Sequence, residues 1–462
     1  MGDFFSFDDL PDGWECKKLG EIISPSKEKI EPTEDSTLPY IGLEHIESNT
    51  SKIIGQAVAS DAKSTKTVFH SGDVLYGKLR PYLNKVAIPD FDGVCSTDIL
   101  VFNQNQIIDS RYLMRYLTTG DVVEYANRKS KGISLPRVSF ESLSEILIPF
   151  PPLSEQQRIV ARVEALLTQV NAARVRLSRV PLIMKKFRQA ILAAACSGKL
   201  TEGWRESCGD IEPSTELFSK IQICINQEYL ESCENAKKTG GRKTKDERKN
   251  KKSEKPVIDL PELPDTWNYY RLEDLSHLIT DGTHVTPEYI DKGIPFLSVK
   301  NIRPFSFRLG NIKLISPEEH HSINQRCNPE LYDILYTKVG SYGYAVQNKL
   351  EYPFSLFVSV ALIKPVKEYF TSDYAEIVMN SPTVFEQAID RISGSGTPDL
   401  HLIEIRDFRI PLPPLAEQYE IVRRVGMLFE RADAFDQEVV AAGRRCERLT
   451  QAVLARAFAG KL

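Results

Sequence analysis

Ile148-Pro149-Phe150-Pro151-Pro152-Leu153-Ser154-Glu155-Gln156 returns 262 residues later as Ile410-Pro411-Leu412-Pro413-Pro414-Leu415-Ala416-Glu417-Gln418. Repetition at a fixed distance outranks other sequence signals, because a missed repeat misreads the whole fold. Downstream of this stretch the register holds: Gly198-Lys199-Leu200 and Gly460-Lys461-Leu462 are again 262 apart. Upstream it drifts. Leu10-Pro11-Asp12-Gly13-Trp14 matches Leu263-Pro264-Asp265-Thr266-Trp267 at 253, and Leu38-Pro39-Tyr40 matches Ile294-Pro295-Phe296 at 256. Asp73-Val74-Leu75-Tyr76 matches Asp333-Ile334-Leu335-Tyr336 at 260. The chain is therefore one unit written twice, each copy a variable part followed by a part of fixed length.

The fixed part reads as a long helix. Ile159, Val163, Leu166, Leu167 and Val170 fall on one helical face, and Ile421, Val425, Leu428, Phe429 and Ala432 repeat the pattern. Ser154 with Gln157 has the form of a capping box, and Gly198 and Gly460 stand where C-terminal caps belong. A helix of about 44 residues extends roughly 65 Å. Pro181 and its counterpart Gly443 predict a kink or break midway along both arms. One amphipathic helix this long cannot bury its apolar stripe alone. The economical solution is two arms packed antiparallel, like a coiled coil.

The variable parts read as mixed α/β. Lys85–Ile88 and Leu356–Ile363 are strand-like, and Arg111–Leu117 and Thr383–Ile392 are helical. The expected boundaries are 1–150 and 259–412 for the globular parts, 151–211 and 413–462 for the arms. Between them, 212–258 reads as a short helix (Thr215 to Asn235) and a Lys-rich linker running from Lys237 to Lys255.

The 462 residues carry a net charge of −4, 42% hydrophobic residues and 26% charged ones, as ordinary globular domains do. The basic linker is the exception; it reads first as a solvated tether, with non-specific phosphate attraction as the alternative. No apolar run is long enough to span a bilayer, the start lacks a signal-peptide pattern, and the eight cysteines form no C-x-x-C pair. A cytoplasmic address follows.

Catalytic signatures are missing. Phe150-Pro151-Pro152-Leu153 lacks the polar first and aromatic fourth residues of an amino-methyltransferase loop, and Ser197-Gly198-Lys199-Leu200 lacks the first glycine and the hydroxyl of a P-loop. Pro398-Asp399 with Glu404-Ile405-Arg406 is only a chance likeness to a nuclease pattern. His320-His321 has no metal-ligand companion and reads as a surface turn.

Taken together, Ile148–Gln156 and Ile410–Gln418, Phe187-Arg188-Gln189-Ala190-Ile191-Leu192 running to Gly198-Lys199-Leu200-Thr201-Glu202-x-Trp204, its copy from Leu449 to Leu462, and the two Leu-Pro-x-x-Trp openings resemble the specificity subunits of Type I restriction–modification systems. The resemblance spans the chain. It differs in one place, since no counterpart of the segment after Leu200 follows Leu462, which leaves open how that end docks on partners.

The resemblance implies two target-recognition domains, each reading half of a split, asymmetric double-stranded DNA site, with the paired helices as a ruler for the unread gap. Repeats of one chain direction on antiparallel helices acquire a pseudo-twofold axis, as dimeric DNA readers do. The resemblance also implies no catalysis and no cofactor in this chain. S-adenosylmethionine, for adenine methylation, would sit on two modification subunits docked on the arms. ATP and Mg would sit on two restriction subunits that translocate and cut DNA, with no membrane involved. Two rivals stay open: a self-sufficient methyltransferase, and a helical scaffold with two peptide-binding heads.

Base reading needs polar side chains on loops, backed by phosphate contacts. In the first domain Lys78, Arg80, Tyr82, Asn84 and Lys85 form such a loop, and in the second Lys338, Ser341, Tyr342 and Tyr344 do, with Gly340 and Gly343 permitting close approach. Loops at Arg128–Arg137 and Ser393–His401 come second, with Lys131, Arg137, Ser395, Thr397 and His401 as their candidates.

Overall fold

The computed structural model describes residues 10–33, 35–61, 64–209, 211–239, 259–392 and 398–462. Most of the Lys-rich linker, Ser395 and Thr397 lie outside the described residues. The architecture is mixed helix and strand, and the chain divides into two compact units. One unit comprises Met1–Val180 with Glu438–Leu462, the other Pro181–Gln437. Each unit thus takes one part of each arm.

Both units open on the same device. The Leu-Pro-x-x-Trp segment is a turn, with the Trp14 N–H donating to the Pro11 carbonyl at 3.1 Å and that of Trp267 to Pro264 at 2.8 Å. A strand follows and pairs antiparallel with the strand that leads into the arm: Glu15–Lys18 with Leu147–Phe150, and Asn268–Arg271 with Arg409–Leu412. The first unit adds a five-stranded sheet and a three-stranded one, Val86–Ala87, Val74–Gly77, Ile99–Phe102. The second adds a four-stranded sheet, Ser276–Asp281, Val360–Pro365, Ile334–Thr337, Ala345–Gln347, and a three-stranded one. The run expected as one strand at Leu356–Ile363 is two, Ser355–Leu356 and Val360–Pro365, because the Val360 N–H turns back to the Phe357 carbonyl at 3.0 Å.

The proline–glutamine motif proves to be a structural clamp. The Gln156 side chain is fully buried, accepts the Asp109 N–H at 2.9 Å and donates to the Pro151 carbonyl at 2.9 Å. Gln418 repeats this, accepting the Thr371 N–H at 2.9 Å and donating to the Tyr369 carbonyl at 2.8 Å. The Tyr112 and Tyr374 hydroxyls donate to the Pro149 and Pro411 carbonyls, both at 2.8 Å. Buried donors and acceptors left unpaired are costly, so these contacts fix where each arm begins.

The arms are Leu153–Cys196 and Leu415–Phe458, 44 residues each. Ser154 lies inside the first turn rather than capping it; the Pro152 carbonyl accepts the Glu155 and Gln156 N–H groups at 2.9 and 3.0 Å instead. The expected break is absent, since helix continues through Pro181 and through Gly443. An interior proline costs about 3 kcal/mol. That cost is outweighed because both ends of the first arm are anchored, with Ile159, Val163 and Leu167 in one core and Ile191, Leu192 and Ala195 in the other. Each Ile, Leu or Val so buried contributes roughly 1.5–3 kcal/mol.

Within each unit the two arm segments run antiparallel. In the first, Arg158 donates to the Leu462 carbonyl at 3.0 Å and Phe458 packs edge-on against Tyr112 and Tyr116, centroids 5.0 Å apart. In the second, Arg188 pairs with Asp433 at 2.5 Å and Asp436 at 2.9 Å, and Arg424 donates to the Leu200 carbonyl at 2.7 Å. Gly198 (φ +75°) and Gly460 (φ +69°) end the arms, and a Cβ at either would lie 2.5 Å from Pro264 Cγ or 2.2 Å from Pro11 Cγ. No described helix is long and apolar enough to cross a membrane. The connecting helix spans Ser214–Thr239.

Candidate nucleic-acid interface

Each domain continues from a buried central strand into a loop that a second loop holds in place. In the first domain, strand Val74–Gly77 leads to Lys78, whose N–H donates to the Asp98 carbonyl at 2.9 Å and whose carbonyl accepts the Val138 N–H at 3.0 Å. Two residues on, the Arg80 N–H donates to the Pro136 carbonyl at 2.7 Å. Lys131 and Arg137 then exchange backbone bonds of 2.9 Å. The two stretches chosen separately from the sequence, 78–85 and 128–137, therefore meet, although Arg128 and Lys129 end a helix rather than lie in the loop.

The second domain repeats the ladder. Lys338 donates to the Ser359 carbonyl at 3.0 Å and accepts from Leu400 at 2.9 Å, and Gly340 donates to the Pro398 carbonyl at 2.9 Å. Lys78 thus corresponds to Lys338, Asp98 to Ser359, Arg80 to Gly340, and Arg137 to Asp399. Apart from this shared lysine, equivalent backbone positions carry different chemistry.

Among the first-domain candidates, Arg80, Tyr82, Lys131 and Arg137 are exposed, and Lys78 is half-buried. Arg80 holds a left-handed backbone, φ +52°, as does Asn84, φ +49°. Such a conformation costs a non-glycine residue roughly 1–2 kcal/mol, and the flanking ladder maintains it. Asn84 and Lys85 face inward. The Asn84 amide is buried and donates to the Thr118 carbonyl at 3.2 Å, while Lys85 Nζ donates to the Leu43 carbonyl at 2.6 Å. Arg137 meets Asp98 with two contacts, Nε at 2.8 Å and Nη2 at 3.3 Å, and that pair holds its guanidinium charged. A cleft of about 320 Å³ beside the ladder is lined by Lys78, Lys29, Thr65, Thr67 and Thr97.

In the second domain a cleft of about 770 Å³ is lined by Lys338, Arg326, Arg406, His284, His401 and two aspartates, Asp281 and Asp399. Lys338 is buried, its Nζ 3.4 Å from Asp281 Oδ2 and 3.7 Å from Asp399 Oδ1. Arg326 reaches the same Asp281 at 2.5 Å, and His284 lies 3.3 Å from it. His401 is exposed, 3.8 Å from Asp399 Oδ2. Ser341 is exposed; Tyr342 is half-buried and stacks on Phe385, centroids 5.9 Å apart at 11°. Tyr344 packs against the cluster of Leu297, Ile302, Leu335 and Val346 and donates its N–H to Thr337 Oγ1 at 2.9 Å. Gly343 (φ +84°) lies where a Cβ would come within 2.5 Å of the Phe385 ring.

Sequence reasoning missed Asp98, Asp281, Arg326, Arg406 and Asp399. Only Asp399 left a usable trace, the 262 offset that aligns it with Arg137. Histidines 320 and 321 lie on helix Pro317–Asn324 rather than in a turn, because Ser316 caps it, accepting the Glu319 N–H at 3.1 Å, and Pro317 starts it. Among the described residues no group of three or more metal-ligating side chains forms.

Residues 11–176 and 264–435 match the family described as Type I restriction modification DNA specificity domain. The chain is 33% identical over 219 residues to the EcoDI specificity subunit of a Type I restriction enzyme of Escherichia coli, a match covering 46% of this chain and 49% of that protein. It is 28% identical to the EcoBI specificity subunit of Escherichia coli, covering 73% of this chain and 62% of that one. These matches therefore span about half to three fifths of the relatives' length. In fold it is similar to a chain from a study of the complex assembly and conformational transition of the type I R-M system, with TM-score 0.68, 23% identity and 98% and 99% of the two chains covered. It is also similar to the HsdS subunit of Thermoanaerobacter tengcongensis, with TM-score 0.53, 23% identity and 98% of each chain covered.

Proposed function

This chain belongs to the Type I restriction modification DNA specificity family, and we propose that it selects a bipartite, asymmetric DNA site, each domain reading one half, and performs no bond chemistry itself. The observation that carries this reading is the duplicated backbone ladder. The same hydrogen bonds present loops 78–82 and 131–137 in one domain and loop 338–344 with residues 398–401 in the other, yet the side chains on them differ. A shared scaffold with unlike reading groups is what unequal half-sites require.

Arg80, Tyr82, Lys131 and Arg137 in the first domain, and Ser341, Tyr342, Arg326 and His401 in the second, are the groups free to meet bases and phosphates. Asn84, Lys85, Lys338 and Tyr344 support them from within. Arg and Lys neutralise phosphates and give salt-dependent affinity, while base edges supply the discrimination. By the same reading the paired arms set the length of the unread gap and dock two modification subunits, which carry S-adenosylmethionine and methylate adenine. Two ATP- and Mg-dependent restriction subunits complete the assembly, which acts in the cytoplasm.

The test is long-read methylome sequencing of a methylation-free host expressing this chain with its modification subunit, against the modification subunit alone. A split methyladenine motif seen only with this chain is the expected result. No new motif, with both proteins soluble and associated, overturns the reading and favours the scaffold.

A further inference from the structure

Arg137 and Asp399 occupy one backbone position in two copies of one ladder. Each is bridged antiparallel to the loop that follows the central strand, Arg137 to Leu79 and Asp399 to Val339. Each immediately follows the proline whose carbonyl accepts the Arg80 or Gly340 N–H. The two side chains differ in the property a base edge detects. Arg137 offers only donors, and Asp399 as a carboxylate offers only acceptors.

Arg137 is aimed. Asp98 takes its Nε and Nη2 donors, and the guanidinium has five N–H groups, so the Nη1 end of the fork remains for a ligand. A planar pair of donors held rigid by a carboxylate fits the O6 and N7 acceptors of guanine. In the second domain the Asp98 position is Ser359. Asp399 lies at the cleft instead: its Oδ1 is buried, 3.7 Å from Lys338 Nζ, while its side chain is 38% exposed, with Oδ2 3.8 Å from His401 Nδ1. The exposed part of an acceptor-only carboxylate at a basic cleft fits an exocyclic amino group, N4 of cytosine or N6 of adenine.

We propose that this shared position sets one base in each half-site, Arg137 selecting guanine and Asp399 selecting an amino-bearing base. The inference rests on the DNA-reading function proposed above and goes beyond it by assigning opposite preferences to equivalent residues. The experiment is the same methylome assay on the full chain with its modification subunit, comparing wild type with Arg137→Ala, Arg137→Lys, Asp399→Ala and Asp399→Asn. Arg137→Ala is expected to relax a guanine in one half-site by roughly 10- to 100-fold in discrimination and leave the other half intact. Asp399→Ala should relax an adenine or cytosine in the other half by a similar factor. Asp399→Asn, which keeps an acceptor and adds a donor, should narrow that position toward adenine. Arg137→Lys, which keeps the charge but loses the fork, should stay relaxed. Motifs identical to wild type, or equal weakening of both halves, overturn the inference while leaving the DNA-reading function standing. A wild-type chain that gives no motif at all overturns the function itself.

Discussion

The two units begin their arms with the same Leu-x-Glu-Gln motif, yet one beginning is locked and the other is open. In the second unit Glu417 is fully buried and accepts three side chains: Trp267 Nε1 at 2.7 Å, Thr201 Oγ1 at 2.6 Å and Arg205. Arg205 also donates to the Gly198 carbonyl at 2.7 Å, so the end of one arm, the start of the other and the opening turn meet on one carboxylate. In the first unit the equivalent Glu155 is partly exposed and pairs with Arg158, three residues along its own helix, which in turn donates to the Leu462 carbonyl. The comparison teaches that a repeated motif conserves the geometry of the clamp, carried by Gln156 and Gln418, while the charge beside it is free to serve different ends.

Removing the carboxylates should expose that difference most sharply. Glu417→Ala leaves Arg205 without its partner in a buried site and is expected to cost about 3–5 kcal/mol in denaturant unfolding. Glu155→Ala removes a surface-type pair and should cost less than about 1 kcal/mol. Equal losses would break the comparison.

A smaller contrast is expected at the reading loops. Lys338→Met takes a buried cation from between two aspartates, though Arg326 still serves Asp281, so about 2 kcal/mol of stability should be lost. Lys78→Met, at the corresponding half-buried position, should fall within about 0.5 kcal/mol of wild type. Both are read from urea midpoints.

The smallest effect is a pH dependence at the start of the second arm. Hydrogen bonds from Arg423, supported by Arg424, hold the Glu420 carboxyl down to about 2. A depressed acid adds stability above its unfolded value, near 4.5, and loses it as pH falls toward 2. Glu420→Gln should therefore lower stability modestly near neutrality, flatten the further loss between about pH 4.5 and pH 2, and converge on wild type at the acid end. An unchanged acid limb would contradict the assignment.

Much of the fold was legible because periodicity and offset both reported on it. The arms matched their expected length, and Gly198 and Gly460 cap them as read. Ser154 misled because a proline carbonyl took the role its hydroxyl suggested. Pro181 misled because local propensity carries no information about anchoring far along the helix. The candidate loops stood out in the sequence through clustered basic and aromatic residues, and the structure brings those of each domain side by side. Their members were not legible individually, since direction depends on partners distant in sequence: Asp98 lies 39 residues from Arg137, and Asp281 lies 45 from Arg326. Lys338 looks on paper like any loop lysine, and only the fold turns it inward.

The central claim, one half-site per domain, is tested most directly by giving both positions the same reader. A chain in which residues 259–412 are replaced by a copy of residues 1–150 would be expressed with the modification subunit and its methylome sequenced. The account predicts a motif built from two copies of the half-site that wild type owes to its first domain, with the second half-site gone. Retention of the wild-type motif, or disappearance of both halves from a soluble and associated complex, would contradict it.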